Sequence, residues 1–228
     1  VQAHVPIVGS VETVLEQMLE VIRECGFDND KQALADWWSQ IDQWRSRNCL
    51  AYETHPTLIK PQQVIETLYK VTKGEAFVAS DVGQHQMWVA QAYPFRRPRQ
   101  WLTSGGLGTM GFGLPTAIGA ALAEPDRTVV CFTGDGSFKM NIQELATLAE
   151  EGLNVKIVLM NNNALGLVYQ QQTLFYGQRL FASKYRTEPD FVKIAEGFGV
   201  AAVDLDLADN PRAALAEALH RPGPCLIH

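Results

Sequence analysis

The chain has 228 residues, with 19 lysines and arginines against 25 aspartates and glutamates, which gives a formal net charge of -6. Its hydrophobic fraction of 46% and charged fraction of 19% are typical of a globular domain that buries a full core. No run of about 18 apolar residues is present and no basic stretch precedes an apolar one, so we expect neither a transmembrane helix nor a signal peptide within these residues. The mild acidity argues against binding to nucleic acid or to an anionic membrane.

The first predicted elements are a strand and a helix. Residues 1–9, VQAHVPIVG, predict a strand, and Ser10 is a suitable N-cap for the helix that follows. One strand and one helix cannot bury their apolar faces alone, so we expect residues 1–24 to be the tail of a preceding domain. The far end, PGPCLIH, predicts a strand that stops while still apolar. We therefore expect the chain to be a piece of a longer polypeptide.

Residues 25–60 differ in character from what precedes and follows. They carry three tryptophans and a turn-prone stretch around Asp28 and Asn29. This composition predicts a linker with one short helix, whose tryptophans pack onto neighbouring domains. The tryptophans are Trp37, Trp38 and Trp44.

From Pro61 onward, helices and continuous apolar strands alternate. The predicted elements are helix 61–72, strand 76–81, helix 113–123, strand 128–135, helix 139–151, strand 154–162, helix 189–199, strand 201–205, helix 211–220 and strand 225–228. Pro189 and Pro211 fall where first helical positions are expected. This alternation predicts an α/β fold over 61–228, a doubly wound parallel sheet with helices on both faces.

The cysteines indicate a reducing compartment. Cys25, Cys49, Cys131 and Cys225 include no Cys-x-x-Cys pair, and Cys131 lies in an apolar run that predicts a buried strand. We therefore predict free thiols and a cytoplasmic location. The five histidines show no spacing typical of a zinc site.

Glycine-rich and polar segments follow several predicted strands, where ligands bind in such sheets. Three of them follow strands directly, namely 80–88 (SDVGQHQMW), 133–138 (TGDGSF) and 161–167 (NNNALGL), and a fourth, 104–113 (SGGLGTMGFG), precedes a helix. In the fourth, Gly106, Gly108 and Gly111 match the G-x-G-x-x-G dinucleotide pattern. The preceding residues, RRPRQWLTS, do not predict the apolar strand that this pattern requires. A tight turn with close helix packing therefore stands beside a nicotinamide site as an alternative.

The GDG and NN segments are more specific as a pair. The 24 residues between Gly136 and Asn161 have the length of one helix and one strand. This spacing predicts Asp135 and Asn162 at the carboxyl ends of neighbouring strands, within reach of one ion. A carboxylate and an amide oxygen suit Mg²⁺, and Gly136 and Ser137 are predicted to open a helix whose free N–H groups favour a diphosphate. Two unrelated polar turns remain the alternative.

The same segments resemble a known family. GDG followed by NN resembles the thiamine-diphosphate-dependent enzymes. The stretches TSGGLGTMGFGLPTAIGAAL, SDVGQHQMW and GDGSFKMNIQELATLAEEGLNVKIVLMNN resemble the catalytic large subunits of acetolactate synthase (acetohydroxyacid synthase), and ALGLVYQQQTLFY is most similar to the isozyme I form. The resemblance covers essentially the whole chain, as the end of a central domain, a linker and most of a thiamine diphosphate-binding domain, 61–228, truncated at its C-terminus.

The resemblance implies thiamine diphosphate and Mg²⁺ as cofactors. The implied Mg²⁺ ligands are Asp135, the Asn162 side chain and the backbone carbonyl of Ala164. The residues implied to bind thiamine diphosphate are Val82, Gly83, Gln84, His85, Gly108, Met110, Gly136, Ser137, Leu165, Gly166 and Leu167. Met110 and Gly108 are the implied catalytic residues, because Met110 would press the aminopyrimidine against the thiazolium and the Gly108 carbonyl would accept a hydrogen bond from the pyrimidine amino group. A hydrogen-bonded structural histidine and a core methionine are the alternatives for His85 and Met110.

The implied reaction joins two 2-keto acids. Pyruvate is decarboxylated and condensed with a second pyruvate or with 2-ketobutyrate, for branched-chain amino acid synthesis. The resemblance also implies FAD in the full-length protein, a homodimer or tetramer, and a small regulatory subunit. Gln171 stands where most family members carry a tryptophan that favours 2-ketobutyrate, which implies a weaker preference.

Three other functions remain open from the sequence. The family's activating glutamate lies in an amino-terminal domain outside this chain, so we expect the chain alone to be inactive, which would make it a non-catalytic module that binds the cofactor. Another pyruvate-using enzyme, such as a pyruvate oxidase or a glyoxylate carboligase, would share the same motifs. The nicotinamide-binding domain is the third.

Overall fold

The computed structural model describes residues 2–26 and 30–228. The chain divides into two compact units, Val1–Ala51 and Tyr52–His228. The turn predicted around Asp28 and Asn29 lies outside the described residues. The roles predicted for 1–24 and 25–60, a domain tail and a linker, stay predictions.

The first unit contains α1 (Val11–Cys25) and α2 (Lys31–Ser46). Ser10 occupies the predicted N-cap position with extended backbone, although its side chain makes no capping hydrogen bond. The strand predicted for 1–9 is wrong for residues 2–9, which have irregular structure. A strand needs a partner for its backbone groups, and these residues pair with none in the described part of the chain.

The helix predicted within the linker is present, but it is not short. Its 16 residues begin after Asp30, whose carboxylate accepts hydrogen bonds from the N–H groups of Gln32 and Ala33. Trp37 and Trp44 meet edge to face with 5.6 Å between ring centroids, and both are about half exposed. Their packing onto a neighbouring domain stays a prediction.

The second unit is a six-stranded sheet with helices on both faces. Its elements in chain order are α3 (Pro61–Val71), β1 (Phe77–Ser80), α4 (Gln84–Ala92), β2 (Trp101–Thr103), α5 (Gly113–Ala123), β3 (Val129–Gly134), α6 (Asp135–Phe138), α7 (Glu144–Glu150), β4 (Val155–Met160), α8 (Gly166–Phe175), α9 (Phe191–Gly197), β5 (Ala201–Val203), α10 (Pro211–His220) and β6 (Cys225–Ile227). The strand order is β2-β1-β3-β4-β6-β5, and each of these neighbours pairs in parallel.

Alternate residues of the central strands pack into two separate cores. Along β3, Val129 and Cys131 join one core with side chains of α5, α7 and α9. Val130 and Phe132 join the other core with side chains of α3, α4 and α10. Because β3 is buried on both faces, its sequence is continuously apolar. These two layers confirm the predicted doubly wound α/β fold.

Several element boundaries differ from the predictions. The helix predicted for 139–151 begins only at Glu144, because the chain first forms the four-residue α6 and a turn in which Asn141 uses its side chain to bond elsewhere. Gly136 and Ser137 therefore lie within α6 rather than opening a long helix. Pro211 is the first residue of α10 as predicted, whereas Pro189 precedes the N-cap Asp190 of α9.

An edge strand, β2, stands directly before the glycine-rich stretch 104–113, contrary to the prediction that no strand precedes it. It has three residues and pairs only with β1 in the described chain, with Val78 opposite Trp101. Helices α4 and α8 were also not predicted. The described residues contain no helix that is both long enough and apolar enough to cross a membrane.

Candidate functional site

A cavity of about 170 Å³ lies at the carboxyl ends of the central strands. In the sheet, β2 lies on one side of β1 and β3 lies on the other, so the strand order changes direction at β1. Sheets of this kind bind ligands at such a switch point, and the cavity lies there. The cavity is lined by Val82, Gly83, Gln84, His85, Trp88, Gly108, Met110, Gly134, Asp135, Gly136, Ser137, Met160, Asn162, Ala164, Leu165, Gly166, Leu167 and Val168. All the residues predicted to bind the cofactor or the metal are among them. Gln171 is not, and it is exposed on α8.

Asp135 is the buried acid of the cavity. β3 and β4 pair with Gly134 opposite Met160, so Asp135 and Asn162 follow the ends of neighbouring strands as predicted. Asp135 is 2% exposed, and its Oδ2 atom has no hydrogen-bond partner among the described residues. Burial raises the pKa of Asp135, against the opposing effects of the Lys139 ammonium and of backbone N–H groups. A cation at Oδ2 would satisfy this atom.

The two other predicted metal ligands lie on the loop after β4. Asn162 Oδ1 accepts a hydrogen bond of 3.1 Å from the Ala164 N–H, which leaves a second lone pair on the amide oxygen. Ala164 forms an isolated antiparallel bridge with Lys184. The hydrogen bonds of this bridge run from the N–H of Leu165 to the carbonyl of Ser183 and from the N–H of Tyr185 to the carbonyl of Asn163, so they do not use the Ala164 carbonyl.

The oxygen types therefore determine what could bind here. The described residues hold no group of three His, Cys, Asp or Glu side chains arranged for a metal ion. A cation at Asp135 would depend on one carboxylate, one amide oxygen and one backbone carbonyl, and its other ligands would come from outside the protein. Few protein ligands, all of them hard oxygens, are what Mg²⁺ accepts when it also binds phosphates.

Two glycines allow the cavity walls to approach each other closely. A Cβ atom on Gly136 would lie 2.8 Å from both Leu165 Cδ2 and Tyr185 Oη, and 3.4 Å from Met110 Cε. A Cβ atom on Gly166 would lie 2.3 Å from Gln84 Oε1 and 2.6 Å from Asn162 Nδ2. Any side chain at either position would displace these groups, so the backbone itself forms this wall. Without side chains at these two positions, a ligand can approach the backbone closely.

His85 is a buried histidine at the start of α4. It is 6% exposed, and its Nε2 atom is buried without a hydrogen-bond partner among the described residues. The ring packs closely on two glycines. A Cβ atom on Gly83 would lie 2.8 Å from His85 Cε1, and one on Gly134 would lie 3.0 Å from His85 Nδ1. Burial lowers the pKa of His85 to about 4, although Asp81 opposes the shift. The imidazole is therefore neutral at neutral pH.

Met110 and Gly108 come from the loop between β2 and α5. Gly108 and Gly111 have φ values of +68° and +85°, a region that favours glycine. The Ser104 hydroxyl accepts a hydrogen bond of 3.0 Å from the Thr109 N–H, which folds the loop on itself. The loop thus brings Met110 to the cavity, where its methyl group lies near Gly136.

Some residues of the site were missed from the sequence. Four of them line the cavity, namely Trp88, Gly134, Met160 and Val168. Four others hold its walls from behind, namely Asp81, Asn141, Gln170 and Tyr185. Asp81 offered a signal, because it is a carboxylate directly after an apolar strand in a polar segment. The other three carry no local pattern.

Comparison with known proteins gives a consistent match. Residues 81–228 match the family described as "Thiamine pyrophosphate enzyme, C-terminal TPP binding domain". The chain is 51% identical over 221 residues to the acetolactate synthase isozyme 3 large subunit of Escherichia coli (strain K12), which covers 97% of this chain and 38% of that protein. It is 51% identical over 228 residues to the isozyme 1 large subunit of the same organism, covering 100% of this chain and 39% of that protein.

A plant protein is similar at a greater distance. The chain is 44% identical over 233 residues to acetolactate synthase 1, chloroplastic, of Oryza sativa subsp. japonica, covering 99% of this chain and 36% of that protein. The resemblance to acetolactate synthase large subunits is thus confirmed, and equal identity to isozymes 1 and 3 favours neither. The chain spans less than half the length of the curated relatives it matches.

Proposed function

Because the chain belongs to the thiamine pyrophosphate enzymes through their C-terminal TPP-binding domain, we propose that it is the cofactor-binding part of an acetolactate synthase. In this proposal the cavity binds the diphosphate of thiamine diphosphate together with Mg²⁺. One observation carries the proposal more than any other, namely the buried Asp135 Oδ2 atom without a partner beside a wall made of glycine backbone.

The residues present fit a magnesium diphosphate. Asp135, the Asn162 amide oxygen and the Ala164 carbonyl would bind the metal ion. Gly136, Ser137 and the start of α8 at 165–167 would face the diphosphate from one side. Gln84 and His85 would face it from the other, with Val82 and Gly83 in the turn that brings them there. The Ser137 hydroxyl donates to the Val82 carbonyl across 3.0 Å, which ties the two sides together.

The chain's residues act mainly by binding and orientation. The chemistry that thiamine diphosphate supplies when bound is an electron sink for the decarboxylation of a 2-keto acid. Met110 would support its rings from the loop before α5, and the Gly108 carbonyl would accept a hydrogen bond from the amino group. The neutral His85 ring can donate one hydrogen bond and accept another without adding charge to the cavity. The apolar side chains of Leu165, Leu167 and Val168 would exclude water.

The whole protein's function extends this proposal. The whole protein would decarboxylate pyruvate and join the product to a second pyruvate or to 2-ketobutyrate, which gives a 2-aceto-2-hydroxy acid. This reaction would take place in the cytoplasm. FAD, a homodimer or tetramer, and a small regulatory subunit are part of the same proposal. Gln171, exposed at the second turn of α8, would lie toward the second substrate and weaken the preference for 2-ketobutyrate.

Calorimetric titration of thiamine diphosphate, with and without Mg²⁺, tests the cofactor site. We expect binding that requires both the metal ion and Asp135, so that Asp135→Ala loses it. Asp126→Ala is the matched control, because Asp126 is exposed in the turn after α5. Binding by Asp135→Ala equal to that of the parent would overturn the proposed metal site.

Product analysis tests the activity in the intact protein. We expect the intact protein to convert pyruvate to acetolactate, whereas the 228-residue chain alone should form none. Oxidative release of acetate from pyruvate, or condensation of glyoxylate, would assign the protein to a different thiamine diphosphate enzyme. Acetolactate formed by this chain alone would show that no further domain is needed.

A further inference from the structure

Asp81 has a fully buried carboxylate with three backbone hydrogen bonds. It directly follows β1, and its own N–H donates to the Phe132 carbonyl across 2.8 Å, which extends the pairing of β1 with β3. Its side chain is 1% exposed. Oδ1 accepts hydrogen bonds from Val82 at 2.8 Å and Gly111 at 2.9 Å, and Oδ2 accepts one from Gly113 at 3.0 Å. The backbone position of Asp81 is thus fixed by the sheet while its carboxylate reaches to another segment.

That segment is the loop that carries Met110. Gly111, the residue after Met110, is held on both sides, since its N–H donates to Asp81 and its carbonyl accepts a hydrogen bond of 2.6 Å from the Asn141 side chain. The third donor, Gly113, is the first residue of α5. A carboxylate at this position also interacts favourably with the helix dipole of α5. Bonds of this kind to a charged acceptor are stronger than those between neutral groups.

Asp81 does not line the cavity itself. Its effect on a ligand must therefore pass through the residues that it holds. One of its three bonds goes to Gly111 in the loop between β2 and α5, one to Gly113 at the start of α5 and one to Val82 in the turn after β1. None goes to the segments after β3 and β4 that carry Asp135, Gly136 and Asn162. The carboxylate is thus bonded to the segments after β1 and β2, and not to the wall that carries Asp135, Gly136 and Asn162.

We propose that Asp81 is a positioning residue of the cofactor site, whose carboxylate holds the loop at Gly111 and Gly113 so that Gly108 and Met110 face the cavity. This inference rests on the proposed function. It separates the site into two parts. Gly108 and Met110, which would hold the rings of thiamine diphosphate, depend on the bonds to Gly111 and Gly113, whereas the segments after β3 and β4, which would hold its diphosphate and Mg²⁺, make no bond to Asp81.

The test compares two ligands in the intact protein, thiamine diphosphate and inorganic diphosphate, each with Mg²⁺. Asp81→Asn keeps the shape of the side chain but replaces one acceptor by a donor that faces the Gly113 N–H. We expect its affinity for thiamine diphosphate to fall about tenfold or more, as for the loss of a charged hydrogen bond, while its affinity for inorganic diphosphate stays within about twofold. Asp190→Asn is the matched control, because Asp190 also accepts a backbone hydrogen bond, at 3.0 Å from Lys193, but lies outside the cavity.

A second variant, Gly113→Ala, tests the same contact without removing the charge. Its Cβ atom would lie 3.0 Å from the Cβ, N and Oδ2 atoms of Asp81, which forces the loop and the carboxylate apart. We expect the same selective loss of thiamine diphosphate, so the inference stays testable if Asp81→Asn fails to fold.

The outcomes separate this inference from the proposed function. An equal loss of both ligands in the variants would make Asp81 a purely structural residue and overturn the inference, as would unchanged affinity for both. Failure of the parent protein to bind thiamine diphosphate would instead overturn the proposed function.

Discussion

The Gln84 side-chain amide donates a hydrogen bond of 2.8 Å to Gln170 Oε1, which joins residues 86 positions apart. Gln84 begins α4 and Gln170 lies on α8, so the bond connects two walls of the cavity. It also fixes the orientation of the Gln84 amide, whose Oε1 atom then faces Asn162 Nδ2 at 3.4 Å. A residue outside the cavity lining thereby determines how Gln84 presents its oxygen.

Replacing Gln170 should weaken cofactor binding without touching the ligand. In Gln170→Ala the Gln84 amide loses its acceptor, and since one hydrogen bond contributes about 1 kcal/mol, we expect the affinity for thiamine diphosphate to fall about fivefold. Calorimetric titration of thiamine diphosphate in the presence of Mg²⁺ measures this affinity. The control is Gln91→Ala, an exposed position on α4. The same affinity in both variants would contradict the role of this bond.

Gly166→Ala should damage binding far more than folding. The added Cβ atom would displace the ends of two flexible side chains, Gln84 and Asn162, which can move away at little cost to the fold. Both side chains face the cavity, so we expect at least about a tenfold loss of affinity for thiamine diphosphate.

The matched glycine-to-alanine substitution on another helix should stabilise the fold without affecting binding. Gly119 lies exposed in the middle of α5, and a Cβ atom there would meet nothing within 4 Å. Gly119→Ala should therefore raise the free energy of unfolding by about 0.5–1 kcal/mol and leave the affinity unchanged. Urea unfolding monitored by circular dichroism, beside calorimetry, distinguishes the two variants.

His85 should make the fold less stable in acid. Its pKa is lowered from 6.5 to about 4 by burial, so between these values the unfolded chain binds a proton that the folded chain does not. The free energy of unfolding should therefore fall as the pH drops from about 6.5 toward 4, by about 3 kcal/mol in total from this group.

A variant isolates this contribution from those of other groups. Between about pH 7 and pH 4.5, the free energy of unfolding of His85→Gln should fall by about 2 to 3 kcal/mol less than that of the parent. Urea unfolding at the two pH values measures this difference. His4→Gln, at an exposed position, should behave as the parent does. If the pH dependence of His85→Gln matched that of the parent, the imidazole would not be buried in its neutral form.

Lys156 should stabilise the turn between α10 and β6. It is fully buried on β4, its ammonium donates hydrogen bonds to the carbonyls of Arg221 and Gly223, and burial lowers its pKa. Lys156→Met would leave both carbonyls unpaired, so we expect the free energy of unfolding to fall by about 2 kcal/mol. The exposed Lys70→Met on α3 should change it by less than about 0.5 kcal/mol. Equal stability of the two variants in urea would contradict this role.

The features predicted best from the sequence are the apolar strands and the regular alternation of strands and helices. β3 and β4 are mostly apolar, and the spacing between Gly136 and Asn161 correctly placed Asp135 and Asn162 at one edge of the sheet. The bounds of α5 and α10 were predicted to the residue. These features depend on neighbours along the chain or on the simple length of a crossover.

What the sequence could not predict depends on distant partners. β2 has three half-buried residues that become a strand only beside β1. Asp81 gains its role from Gly111 and Gly113, which lie 30 and 32 positions away. Residues 2–9 have strand-like composition but no partner in the described chain. In each case the local pattern was too short to determine the structure without knowledge of what packs against it.

The cavity is assembled from the segments that follow β1, β2, β3 and β4, and these segments are separated along the chain by whole helices. Its walls can come together only after the parallel crossovers have closed, and long-range pairing of this kind is slow. Opening any one of these strands would dismantle the binding surface as well. A bound ligand would therefore slow amide hydrogen exchange in all the central strands together, and it would protect the unit from proteolysis as a whole rather than loop by loop.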